Sequence, residues 1–399
     1  MATGTAARMR AWTGPAILSF GFRPFFLGGA IWAVVAMILW VLMLSGQLVL
    51  PTRFDPVSWH AHEFLFGYLG AILAGFLLTA VPNWTGRLPV IGWRLGALAS
   101  VWLAGRAVIM VSSGLPWGVT AGIDLAFPIL LGIVILREIV AGRNWRNLVV
   151  LILLAVFALA NALFHLDAAL GRNPAQGIGL RLGLATAMMM IAVIGGRVVP
   201  SFTRNWLASN GDAARPAPPM QRFDKGVLLF TVLVLALWAV RPFGAATGLL
   251  LLAMGLAHLG RLARWLGWRT GAEPLVWVLH VGYAFLPLGA LAIGAAELWP
   301  DALAPAAAQH LWMAGAIGLM TLAVATRATL GHSGQKLHAG PGTVALYVLV
   351  IASVAARLAG GLWPDLPFLE LAAICWIAAF GGFAVLYGPL LSQTKPAKG

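Results

Sequence analysis

Apolar runs of about 20 residues, broken by short polar intervals, recur from one end of the chain to the other. Twenty helical residues rise about 30 Å, the thickness of a hydrocarbon core, so each run predicts a membrane-spanning helix. The pattern places twelve, near 25–47, 59–81, 93–113, 117–136, 147–166, 175–199, 225–242, 245–262, 275–296, 307–328, 342–360 and 366–390. Turn-forming residues separate the closest pairs, around Gly114–Pro116 and Pro242. The longest polar interval, Ser201 to Asp224, carries Pro216, Pro218 and Pro219 and reads as a loop. The expectation is an all-α, polytopic chain forming one transmembrane domain over 1–399. Its halves, 22–204 and 224–390, would be joined by a Pro-rich cytoplasmic loop at 205–223.

Composition agrees with this pattern: 61% of residues are hydrophobic and 10% charged, against roughly 25% charged in a soluble domain. The net charge of +14 does not indicate nucleic acid. Its cations sit in short intervals between apolar runs and build no continuous basic face. Most of them fall on one side of the predicted spans, leaving Arg53, Arg172, Arg181, Arg241 and Arg357 on the other. That bias predicts both termini in the cytoplasm. The single Cys375 excludes an internal disulfide and a thiolate cluster. Residues Met1 to Pro15 carry no signal-peptide pattern, so the first apolar run is expected to remain as a helix.

Ionisable groups within a bilayer are costly unless paired, so their placement is informative. His60, His62 and Glu63 open span two, His310 opens span ten and His165 ends span five, all toward the outer face. Arg106, Asp124, Arg181 and Glu370 fall in the same half. A second layer lies toward the cytoplasm, with His258, His280, His332 and His338 near Arg197, Arg204 and Arg327. His60 and His62 are two positions apart, about 200° around a helix, and so point to different sides. Imidazole suits iron and copper, and haem in membranes is commonly held by histidines of facing helices. The outer histidines, His60, His62, His165 and His310, are therefore candidate metal ligands. His280 and His332 are candidates for the inner layer, with Arg197 and Arg327 as partners for haem propionates or another buried anion. Glu63 is the candidate for orienting a ligating imidazole or carrying protons. The plainer readings are interfacial polar histidines, arginines that set topology, packing roles for Met188, Met189 and Met190, and an ion pair of Arg106 with Asp124 or Glu370.

Several segments resemble the NnrS family. They are Phe22-Arg23-Pro24-Phe25-Phe26, Trp59-His60-Ala61-His62-Glu63, Thr79-Ala80-Val81-Pro82-Asn83-Trp84-Thr85-Gly86-Arg87, Gly195-Gly196-Arg197-Val198-Val199-Pro200-Ser201-Phe202-Thr203-Arg204, Trp277-Val278-Leu279-His280-Val281-Gly282-Tyr283 and Thr326-Arg327-Ala328-Thr329-Leu330-Gly331-His332-Ser333-Gly334. The resemblance spans nearly the whole chain. It implies a twelve-span protein of the bacterial inner membrane, associated with haem and copper. It also implies a role in nitric oxide metabolism in denitrifiers and in resistance to nitrosative stress. A second, looser likeness is to the catalytic subunit of haem-copper oxidases, through twelve spans, a histidine at the outer end of span two and Val81-Pro82-Asn83-Trp84 at its inner end. Span ten here has only His310, and spans six and seven lack that subunit's copper-binding histidines.

The resemblance thus implies a haem-binding, copper-containing protein that handles nitric oxide. Iron would be held by His62 and His310, with His60 or His165 available for copper. Its partners would be the lipid bilayer, nitric oxide and, for turnover as an oxidoreductase, a quinol or redox-protein electron donor. Two further readings stand beside it: a secondary transporter, for which twelve spans in two halves is a common plan, and a membrane sensor or regulatory partner that binds the gas without turnover.

Overall fold

A computed structural model describes residues 12–301 and 304–393. Arg8, Arg10, Lys395 and Lys398, four of the cations expected on the cytoplasmic side, lie outside the described residues. Among the latter the regular structure is helical, with no strand. The described residues contain twelve long helices in succession: α1 Phe22–Leu44, α2 Pro56–Thr85, α3 Trp93–Met110, α4 Trp117–Ala141, α5 Leu148–Ala169, α6 Ile178–Ser209, α7 Arg222–Val240, α8 Ala245–Ala263, α9 Pro274–Leu298, α10 Pro305–Ser333, α11 Pro341–Leu362 and α12 Phe368–Ser392. Eleven are long and apolar enough to cross a membrane; the other, α3, has 18 residues and carries Arg94 and Arg106. The chain is a multi-pass α-helical membrane protein.

Helix boundaries differ from the hydropathy reading chiefly at α6. The polar interval expected from Ser201 begins inside this helix, which runs on to Ser209. Its last turns are amphipathic: Val199, Pro200, Thr203 and Leu207 are buried at helical spacing, and Thr203 donates its hydroxyl to the Val199 carbonyl at 2.9 Å. Lipid-like hydropathy ends where one face turns polar, yet the buried face keeps the helix going.

Three helices contain a π-helical stretch: Glu63–Tyr68 in α2, Ile191–Gly195 in α6 and Leu311–Leu319 in α10. Such widened turns disturb the regular carbonyl ladder and occur often at functional sites. In an apolar medium a displaced carbonyl needs another donor. A side chain donates to one carbonyl within each stretch: Trp102 to Gly67 at 3.0 Å, Arg261 to Ala192 at 2.7 Å and Thr321 to Ile317 at 2.6 Å.

The contacts divide the chain into two compact units. Of the described residues, one comprises 12–183, 329–335 and 380–393; the other comprises 184–301, 304–328 and 336–379. In the first unit α2 is the central helix: 83% of its apolar stretch is buried, against 44% for α1 and 39% for α4 and α5. In the second, α8 and α9 pack closely at glycines. A Cβ on Gly294 would lie 2.7 Å from the Gly248 carbonyl oxygen. Small residues at such crossings replace the hydrophobic drive that lipid cannot provide.

Candidate metal centre

The first unit buries a group of ionisable side chains drawn from four helices. Each sits on the core-facing stripe of its helix. Asp124 shares the buried face of α4 with Thr120, Phe127 and Leu131. Asn161 and His165, four residues apart on α5, share a face with Phe157 and Phe164. His62 ends the regular first turns of α2, and Glu63 begins its π stretch. Arg106 reaches in from α3. His62 and Glu63 are 0% exposed and Asp124 1%, so none of these charges is screened by solvent.

Their contacts close into one network. His62 Nδ1 lies 3.0 Å from Glu63 Oε1, and His62 Nε2 lies 3.1 Å from both Asp124 Oδ2 and Asn161 Oδ1. His165 Nε2 is 3.0 Å from the same Asp124 oxygen, to which the Asn161 amide donates at 2.7 Å. Arg106 donates through Nη1 to both Glu63 oxygens at 2.7 Å and through Nη2 to Asp124. Phe54 stacks on His62 with ring centres 5.3 Å apart, and Phe66 and Phe164 pack around the same ring.

The donor set fits a metal ion. One ligand atom each from His62, Asp124 and His165 lie within 4.8 Å of one another, all buried. Two imidazoles and a carboxylate suit first-row metals, copper among them. Charge argues the same way. With neutral histidines, two carboxylates face one guanidinium, leaving a net negative charge in an apolar interior, which is costly without a further cation or proton. A neutral imidazole also has only one N–H, whereas both nitrogens of His62 face acceptors. If Nδ1–H is donated to Glu63, Nε2 presents a lone pair toward Asp124 and His165. That is the carboxylate–histidine–metal arrangement by which an outer residue orients a ligand.

The family model described as NnrS protein matches residues 16–395. The chain belongs to the NnrS family. No curated protein matches it. Membership fits a nitric oxide-associated membrane protein.

Within this NnrS chain the other sequence-predicted residues are distributed as follows. His60 turns away from His62 and stacks on Trp40 of α1, with ring centres 4.1 Å apart. His310, in the second unit, directs Nδ1 at the Ala306 carbonyl, 2.6 Å away, which leaves its Nε2 as the lone-pair nitrogen. His280 pairs its Nε2 with the Thr203 hydroxyl at 2.8 Å, and its buried Nδ1 has no hydrogen-bond partner. His332 packs against Phe20 and Phe22. Arg327 lies over the Phe202 ring, 4.0 Å from its centre, and Arg197 is half-buried on α6. Of the expected ligands, His62 and His165 are thus brought together, and His60 is turned to another helix.

Sequence reasoning read Asp124 only as an ion-pair partner and did not single out Asn161. Arg106 does pair with Asp124, but also with Glu63, and the same aspartate meets both histidines. One signal was present: Asn161 and His165 are at i and i+4 in an otherwise apolar helix, so two polar groups share one face.

Proposed function

We propose that this protein is a haem- and copper-containing member of nitric oxide metabolism or of the nitrosative-stress response, in the bacterial inner membrane. The observation that carries the proposal is the buried His62–Asp124–His165 set in a chain of the NnrS family. Copper would be held by these three residues, and bound there it would supply a redox-active centre able to bind nitric oxide.

The chain's own groups prepare that site. Glu63 holds the His62 ring so that Nε2 faces Asp124. Asn161 fixes the shared Asp124 oxygen, while Arg106 balances Glu63 and Asp124 without occupying a ligand position. The phenylalanines around His62 keep water out, and nitric oxide, being small and uncharged, can arrive through lipid. Glu63 is also the group nearest the centre that can accept a proton. For haem, His310 is the leading candidate ligand, because its Nδ1 is already engaged by a backbone carbonyl and its Nε2 would be available to iron; His60 is a separate candidate on α2. His62 suits the copper set better, since both of its nitrogens face carboxylates. His280, with Arg197 and Arg327, is the alternative haem candidate in the second unit, and His332 is one in the first. Electrons would come from a quinol or a redox protein.

The test is metal and optical analysis of detergent-purified protein produced with ample haem and copper, beside Asp124→Asn, His165→Ala and His310→Ala. The expected result is copper lost in the first two variants with the Soret band kept. The Soret band should shift with nitric oxide in the wild type and be lost in His310→Ala. A colourless wild type free of iron and copper would overturn the proposal.

A further inference from the structure

At one end of α2, α3 and α4 lies an open cleft of about 1020 Å³, at the upper end of the range for small-molecule sites. Its walls are the loop Gly86–Gly92, the first turns of α3 and the last turns of α4, with Trp12 at the margin. Arg87, Arg94 and Arg137 all line it. Only one of the three is neutralised: Arg87 Nε donates to Glu138 at 3.0 Å. Neither Arg94 nor Arg137 forms an ion pair among the described residues. The positive-inside tendency accounts for cations on one membrane face. It does not account for their convergence on one cavity.

The start of α3 adds to the positive field. Its N-cap is Gly92, which has no side chain to accept from the first turn, and no acidic residue follows. Arg94 in that turn opposes the helix dipole, an arrangement that an anion nearby would reverse into a favourable one. Beside these cations the surface is apolar: Trp93 is 70% exposed, and Leu130, Ile133 and Leu136 lie exposed along α4. Tryptophan and arginine next to an apolar flank mark the headgroup level of a bilayer.

We infer that this cleft binds the phosphate of an anionic phospholipid, with Arg94 and Arg137 on the headgroup and the α4 flank along an acyl chain. The inference is independent of the metal centre. The same phosphate chemistry could come from a soluble anion, and the experiment separates the two sources. Delipidated full-length protein is titrated with phosphatidylglycerol, with zwitterionic phosphatidylcholine and with inorganic phosphate as competitor, and bound lipid is counted by native mass spectrometry. The variants are Arg94→Gln with Arg137→Gln, their Lys counterparts, and Arg143→Gln with Arg146→Gln as a control pair outside the cleft. The expected loss of phosphatidylglycerol affinity is about fivefold for each neutralised cleft arginine, with near-normal binding in the Lys pair and the control. Equal retention by the Gln pair, equal loss in the control, or displacement of the lipid by millimolar phosphate would overturn it. Arg94 and Arg137 are exposed, and the Lys pair separates loss of charge from loss of fold.

Discussion

Arg261 Nη1 lies 2.7 Å from the carbonyl oxygen of Ala192 and donates to it. This one bond ties α8 to the π-helical turn of α6, and it heads a buried chain whose directions are fixed. The same nitrogen donates to Tyr283 Oη at 2.9 Å, and Arg261 Nε donates to Asp224 at 2.8 Å. Because a guanidinium only donates, Tyr283 must give its own proton to His258 Nδ1, 2.8 Å away. His258 Nε2–H then donates to the Thr231 hydroxyl at 2.8 Å, which passes its hydrogen to the Val227 carbonyl. Through Arg261, Tyr283, His258 and Thr231 this chain of hydrogen bonds joins α6, α7, α8 and α9.

Arg261→Met is expected to destabilise strongly, by roughly 3–5 kcal/mol, because it leaves Asp224 buried without its close partner. Tyr283→Phe should cost about 1 kcal/mol, the usual worth of a single hydrogen bond, plus the unmet need of His258. Thermal unfolding in one detergent, comparing both variants with wild type, checks the order and the gap.

Gly67→Ala should perturb the candidate metal centre from outside it. A Cβ there would meet Arg106 Nη1 and lie 2.9 Å from Glu63 Oε2. Copper retention is expected to fall while total helicity by circular dichroism stays near wild type. Unchanged copper would mean that the π turn tolerates the methyl and does not set the site.

Glu63→Gln keeps the shape of the side chain but removes the charge that holds His62. Loss of such an outer partner typically costs 10–100-fold in metal affinity, and that range is the expectation for copper by competitive chelator titration. His60→Ala, on the other side of α2, should leave copper affinity unchanged.

Copper binding should also release protons, since the cluster requires a compensating positive charge that a metal ion would replace. Unbuffered titration of the metal-free protein with copper is expected to acidify the solution. Asp124→Asn, which removes the shared carboxylate, should abolish the release.

In the loop after α6, the Ala214 backbone N–H and the Arg269 side chain hold the Asp212 carboxyl below the usual carboxylate range. A depressed carboxylate contributes stability that is present above its unfolded value and lost as pH falls through its folded value. Arg269→Ala should raise the Asp212 titration midpoint measured by NMR, with the loop loosening at a higher pH than in wild type.

The sequence by itself determined the helical, membrane-spanning character of the chain, because run length and apolarity are local properties matched to bilayer thickness. It also determined that His60 and His62 diverge, since helical spacing alone turns them to different sides. Tertiary structure decided the rest. Asp124, separated by 62 residues from His62 and 41 from His165, meets both. Hydropathy cannot foresee this, because lipid makes every apolar face equivalent and helix pairing follows small residues and hydrogen bonds. Nor do the π turns show in the pattern: one extra residue in a turn leaves hydropathy unchanged. Yet it is at such turns that Glu63 begins the π stretch beside the candidate centre and Ala192 meets Arg261. The run of α6 to Ser209 was hidden for a related reason, since a helix buried on one face no longer needs to look like lipid on the other.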